Sequence, residues 1–162
     1  MKSDTENFTK GDNIYQKQNK FYYSHPRPLL TVDNIIYIKN TKKILLIKRK
    51  NDPFKGYWAL PGGYMEMHEK ISGAALRELK EETGLSLSNL KFFKYFDTVK
   101  RDPRDRTITF VFYDVLDEEV KVYAASDSKE TKWLEIKAIK KLAFDHGKIL
   151  NEFLTYLKEQ HR

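Results

Sequence analysis

The sequence predicts an α/β fold, a mixed sheet sandwiched between helices. Three observations carry that expectation. "LLTVDNIIYIK" (Leu29–Lys39), "KILLIKRK" (Lys43–Lys50) and "RTITFVFYDVL" (Arg106–Leu116) are runs of strand composition. Between them, Lys70–Thr83 places Ala75, Leu76, Leu79 and Thr83 at helical spacing. A second amphipathic stretch, Phe144–Glu159, closes the chain. Several strands with two helices bury their apolar faces best when the sheet lies between the helices.

Taken in order, residues 1–26 are polar and poorly patterned up to a "HPRP" break, and are expected to be a flexible N-terminal segment. Residues 27–162 are expected to form one domain. Its first two strands are separated by the turn-like Asn40-Thr41-Lys42. The loop "NDPFKGYWALPGG" follows, with a short strand around Tyr57–Leu60. The helix over Lys70–Thr83 is closed by Gly84, where a left-handed cap belongs. Leu90–Val99 and Arg106–Leu116 flank the polar hairpin "KRDPRD", and Thr131–Ile136 reads as one more strand.

Composition narrows the function. The chain has no cysteine, which excludes disulfides, thiolate catalysis and a zinc ribbon. No stretch approaches the roughly 20 apolar residues of a membrane span. There is also no signal-peptide run, so a cytoplasmic location is expected, with no membrane partner. The formal net charge is +7, but the lysines are scattered, as in "KNTKKILLIKRKN". That pattern reads as a solvated face, and no DNA partner is expected. The surplus also suits a small polyanionic substrate.

Against that background, the acids of "GGYMEMHEKISGAALRELKEETGL" stand out. In a helix Glu78 and Glu82 are one turn apart, with Glu81 beside both, so the three are expected on one face. Like charges at these spacings cost roughly 0.2–0.5 kcal/mol per pair. Arg77 reaches Glu81 but cannot neutralise three carboxylates. Hard divalent ions, Mg²⁺ or Mn²⁺, take such oxygen ligands and leave positions open for substrate phosphates. The glycines at 62 and 63 let a main-chain carbonyl come close.

Gly63, then five residues, Glu69, then seven, then Arg77-Glu78-Leu79-Lys80-Glu81-Glu82-Thr83-Gly84-Leu85 resembles the Nudix box with every specified position filled. The resemblance runs from about Pro28 to Leu157. It implies the Nudix α/β/α sandwich and hydrolysis of a nucleoside diphosphate linked to another moiety. It also implies metal ligation by Glu78, Glu81, Glu82 and the Gly63 carbonyl, with Arg77 and Glu69 bracing the loop–helix–loop. Glu78 or Glu82 could serve as general base. Asp127 and Glu130 in "AASDSKETKW" are further candidates, though both read first as surface acids.

"DPFKGYWALPGG", "KRDPRDRTIT" and "LAFDHGKIL" look like the ADP-ribose pyrophosphatase subgroup, which would yield AMP and ribose 5-phosphate. Arg101, Arg104 and Arg106, on or beside one hairpin, are candidates to clamp phosphate. Asp102 and Asp105 shape its turn. Phe54 is a candidate to stack on adenine, while Trp58 reads as core. His146 reads as a cap or core-edge donor, and His68 as loop structure. Phe21, Tyr22 and Tyr23 could pack on a second subunit, and the resemblance implies a homodimer. Rival readings are other Nudix substrates (NADH, an oxidised nucleoside triphosphate, capped RNA) and an ADP-ribose-sensing repressor. The intact box and the few residues after "AFDH" argue against the repressor.

Overall fold

The computed structural model describes residues 14–17, 20–124 and 128–160. Two short strands, β1 (Ile14–Lys17) and β2 (Lys20–Tyr23), pair antiparallel as a ladder of their own. They lie inside the segment for which the sequence suggested no element. The main sheet is built on β3 (Leu29–Ile38) and β4 (Lys43–Arg49), joined by the expected tight turn. The short strands β5 (Trp58–Ala59) and β6 (Gly62–Tyr64) follow, and then helix α1 (Ile71–Thr83). β7 (Lys91–Phe96), β8 (Thr107–Leu116), β9 (Ser128–Glu135) and helix α2 (His146–Glu159) complete the domain. The sheet is mixed: β3 and β8 are parallel in register over ten residues, and the remaining pairs are antiparallel.

Both faces of this sheet are covered, which is why its central strands read as near-continuous apolar runs. Along β3, successive side chains alternate between two cores. Val32 and Ile36 join Leu45, Ala74, Ala75, Leu79 and Phe112 beneath α1. Ile35 and Tyr37 join Ile44, Leu46, Val111, Ile149 and Phe153 beneath α2. Each of the valine, leucine, isoleucine and phenylalanine side chains among them contributes roughly 1.5–3 kcal/mol by leaving water, the alanines less. Phe153 is fully buried at the centre of the α2 layer, with rings of Tyr37, Phe93 and Tyr113 around it. Gly84 caps α1 at φ 71°, in the left-handed region, and its N–H donates to the Lys80 carbonyl.

One irregularity in the sheet builds the site. β3 and β4 pair only at Tyr37–Ile44 and Ile38–Lys43, beside their turn, and then part. The gap is filled by residues 58–64: β5 pairs with β4, and β6 pairs with β3 through Asp33–Gly62, Val32–Gly63 and Thr31–Tyr64. Two of the three residues of "GGY" are glycines, which disfavour strands, so β6 was not foreseen; it is recruited by the edge that β4 vacates. Among the described residues no helix is long and apolar enough to cross a membrane.

Candidate active site

Gly62 and Gly63 are where two layers meet. A Cβ at Gly62 would stand 2.0 Å from the Val32 carbonyl oxygen, so the β3–β6 approach leaves no room for a side chain. A Cβ at Gly63 would stand 2.5 Å from the Glu78 carboxylate. The glycines thus let a strand edge press directly on the acids of α1. Gly63→Ala is expected to fold, because its clash is with the flexible end of Glu78. It should lower stability by about 1–2 kcal/mol and displace Glu78. A thermal melt read beside turnover checks this, and activity should fall by a larger factor than stability.

The three glutamates do not share one environment, a correction to the single acidic face. Ala75, Leu79 and Glu82 form one stripe facing the core, and Glu82 is only 9% exposed. The Glu78 side chain is mostly covered, and that of Glu81 faces solvent. The Gly62 N–H donates to Glu82 Oε2 at 2.8 Å. Burial, with the nearby charges of Glu78 and Asp33 adding to it, pushes the Glu82 carboxyl up to about 8 against the opposing Gly62 bond. Burial likewise raises Glu78, although Arg77 opposes the shift.

Arg77 is the hub of the cluster. Its Nε and Nη2 form a bidentate pair with Glu69 at 3.0 and 2.7 Å. Nη2 also donates to the Tyr64 carbonyl at 3.0 Å, and Nη1 donates to Glu78 at 2.8 Å and Glu81 at 3.1 Å. All five N–H donors of the guanidinium are therefore used. The Arg77 hydrogen bonds hold the Glu69 carboxyl below the usual range, and Glu69 in turn accepts the Glu66 N–H.

Next to the glycines lies a narrow cleft of about 60 Å³, lined by Asp33, Arg49, Tyr64, Arg101, Arg104, Phe144 and His146 among others. Arg49 lies over the Phe144 ring at 4.7 Å, and Arg104 approaches the same ring at 5.4 Å and Tyr64 at 5.7 Å. Burial, then the Arg104 charge, lowers the Arg49 pKa; Arg104, more exposed and paired with Asp102, shares the mouth of the cleft. Such a mouth favours an anion. A larger groove of about 740 Å³, lined by Tyr37, Ile136, Leu157 and Lys158, contains none of the clustered acids. Chemistry, not volume, locates the site.

A family model for the NUDIX domain matches residues 28–153. The chain belongs to the Nudix family. Over 144 residues it is 42% identical to an ADP-ribose pyrophosphatase of Methanocaldococcus jannaschii, a match covering 88% of this chain and 83% of that protein. It is 32% identical to the ADPR responsive transcriptional repressor NtrR of Acinetobacter baylyi, spanning 91% of this chain but 60% of the repressor. Among solved structures, it superposes with a TM-score of 0.74 and 32% identity on a bifunctional NMN adenylyltransferase/ADP ribose pyrophosphatase of Francisella tularensis, complexed with AMP and a Mn ion. That match covers 82% of this chain and 43% of the larger one. The NUDIX domain of Shewanella oneidensis NrtR, complexed with ADP ribose, superposes at 0.77 with 26% identity, covering 83% and 91%. This chain is a Nudix hydrolase, similar over most of its length to an ADP-ribose pyrophosphatase.

Within this Nudix site the expected residues take unequal places. Gly63, Glu69, Arg77, Glu78, Glu81 and Glu82 are brought together, and Arg104 reaches the cleft. Arg101 does not act as a solvent-facing clamp. Its side chain is 5% exposed and bidentate to Asp145 at 3.0 and 2.7 Å, making it a buried counter-ion. Arg106 is exposed and turned to the Thr107 carbonyl. Phe54 is half-buried and packs on Phe144 at 4.8 Å, beside a cluster with Ile47 and Ala59. Glu130 lies beside Thr131, whose hydroxyl reaches the Glu82 carbonyl; strand alternation puts Glu130 on the other face, held by Lys48 and Lys132. Asp127 lies outside the described residues. Arg49, Phe144 and Asp33 were missed by sequence reasoning; a charged residue inside the apolar run "TVDNII" was the one available signal for Asp33.

Among the described residues no three His, Cys, Asp or Glu side chains form a ready cage for a metal ion. The reason is visible: Arg77 holds Glu78 and Glu81, and Gly62 holds Glu82. The donors nevertheless fit a hard divalent cation. All are carboxylates, two are pushed up in pKa by burial and neighbouring negative charge, and the Gly63 backbone lies against Glu78.

Proposed function

We propose that this Nudix hydrolase cleaves ADP-ribose to AMP and ribose 5-phosphate with Mg²⁺, Mn²⁺ being a possible substitute. The observation that carries the reading is the junction of the glutamate cluster, through Gly62 and Gly63, with a cleft bearing Arg49 and Arg104. Glu78, Glu81, Glu82 and the Gly63 carbonyl would hold the cation, which supplies charge neutralisation of the diphosphate and acidification of a bound water. Arg49 and Arg104, the latter bidentate to Asp102 at 3.0 and 2.7 Å, bind the phosphates beside the Phe144 ring. Glu78 or Glu82 accepts the proton of the attacking water. Arg77 and Glu69 hold α1 against the Tyr64 carbonyl, fixing the acids relative to the cleft. The cleft is too small to enclose a nucleotide, so the substrate lies across its mouth.

The likeness to NtrR supports a second reading, an ADP-ribose-responsive DNA-binding protein, and a Shewanella oneidensis NrtR has been solved with a 27mer DNA. No DNA binding is proposed for this chain. A panel of ADP-ribose, NADH, an oxidised nucleoside triphosphate and capped RNA, run with Mg²⁺ and with Mn²⁺ and resolved by chromatography, separates the readings. AMP released from ADP-ribose at the highest rate supports the proposal. Turnover of ADP-ribose far below that of the triphosphate overturns the substrate assignment, and tight duplex DNA binding without hydrolysis overturns the enzyme reading.

A further inference from the structure

The tripeptide Leu60-Pro61-Gly62 leads from β5 into β6, and three of its backbone groups are individually held. Proline has no N–H, so two donors remain. The Gly62 N–H goes to Glu82 of α1 at 2.8 Å. The Leu60 N–H goes to His146 Nδ1, at the start of α2, at 2.9 Å. The Pro61 carbonyl accepts the Asn34 N–H at 2.7 Å. One side chain from each helix layer therefore grips the segment that presents Gly62 and Gly63 to the acids.

His146 is built for this contact. It is 5% exposed, and an Nδ1 that accepts the Leu60 N–H carries no proton, so the remaining proton of a neutral ring is on Nε2. Nε2 lies 3.3 Å from Asp33 Oδ1. The other Asp33 oxygen accepts the Thr109 hydroxyl at 2.7 Å and lies 3.5 Å from Arg101 Nη2. Arg101, Asp145 and Arg49 complete the charged surroundings, and the Phe144 ring lies 5.4 Å from the imidazole. An imidazolium would lose the Leu60 bond, and burial opposes it by lowering the His146 pKa.

We propose that His146 is a positioning residue: set in its Nε2–H tautomer by Asp33, it takes the Leu60 N–H and so fixes the Gly62–Gly63 edge against Glu82 and Glu78. This rests on the reading of those glutamates as the hydrolytic centre. Two substitutions separate positioning from bulk stability. In His146→Asn a side-chain oxygen can still accept the Leu60 N–H, whereas His146→Phe fills the space without an acceptor. On whichever substrate the wild type turns over, the Phe variant should lose roughly 10- to 100-fold in kcat with KM nearly unchanged, and the Asn variant should recover most of that loss. Long-range ¹H–¹⁵N NMR of the wild type, without substrate, should show Nδ1 unprotonated and Nε2 protonated, with a slowly exchanging Leu60 amide. A ring protonated at Nδ1, or equal kcat in the two folded variants, overturns the proposal. Should either variant fail to fold, the tautomer and the Leu60 exchange decide. Absence of turnover in the wild type would sink the hydrolytic reading while leaving the NMR result to judge the tether.

Discussion

Glu82→Gln is expected to lose turnover by roughly a hundred- to ten-thousand-fold, the span associated with a positioned acid–base group, while becoming more stable than the wild type in alkali. The stability half follows from where the carboxyl lies. Burial raises it from 4.5 to about 8, so the folded state prefers the protonated form. The stability this group contributes is complete below its unfolded value and is lost as pH rises through the folded one. Each pKa unit is worth about 1.4 kcal/mol, so the neutral isostere should gain a few kcal/mol over the wild type above about pH 8 and almost nothing near pH 4. Melting temperatures across that range, with and without Mg²⁺, provide the check. Added cation should stabilise the wild type at high pH and do little for the variant. A variant with full turnover and no alkaline advantage would remove Glu82 from both roles.

Arg77→Ala is expected to cost more than the loss of one surface pair. Five hydrogen bonds go at once, and Glu69, Glu78 and Glu81 are left without their common cation. The Arg77 side chain is 24% exposed, so solvent screens part of the penalty, and about 2–3 kcal/mol is expected instead of the larger cost of a fully buried pair. Turnover should fall roughly a hundredfold, as displaced groups lose their reactive geometry. Arg77→Lys tests the shape of the fork: it keeps the charge but has three donors on one nitrogen and cannot span Glu69, Tyr64 and both helix carboxylates. Thermal melts and kcat for both variants should rank wild type above Lys and Lys above Ala. A Lys variant equal to the wild type would show that charge alone suffices.

Several features were legible in the linear chain because they depend on neighbours. The run Arg77 to Leu85 specified α1, its acids and its glycine cap within one helical stretch. The β-branched and aromatic content of Leu29–Ile38 and Thr107–Leu116 marked both strands, though not that they run parallel. The spacing of Ala75 and Leu79 marked the core stripe, and one further step along it would have placed Glu82 there too. Arg101 shows where this kind of reading stops. Its position in "KRDPRDR" resembles a clamp, but Asp145, forty-four residues away, claims both ends of its fork.

What the chain dictated by itself was local and chemical: an acid-rich amphipathic helix ending at Gly84, strands covered on both faces, and side chains suited to a hard cation. Tertiary structure decided the rest. Only the parting of β3 from β4 admits residues 58–64, and only that insertion places a strand edge where Glu82 and His146 can each take a backbone N–H. The physical reason is range. Periodicity reports which side of an element is dry, whereas the Leu60–His146 bond joins residues eighty-six positions apart. Desolvation and hydrogen bonding at that separation arise from packed layers, not from neighbouring letters.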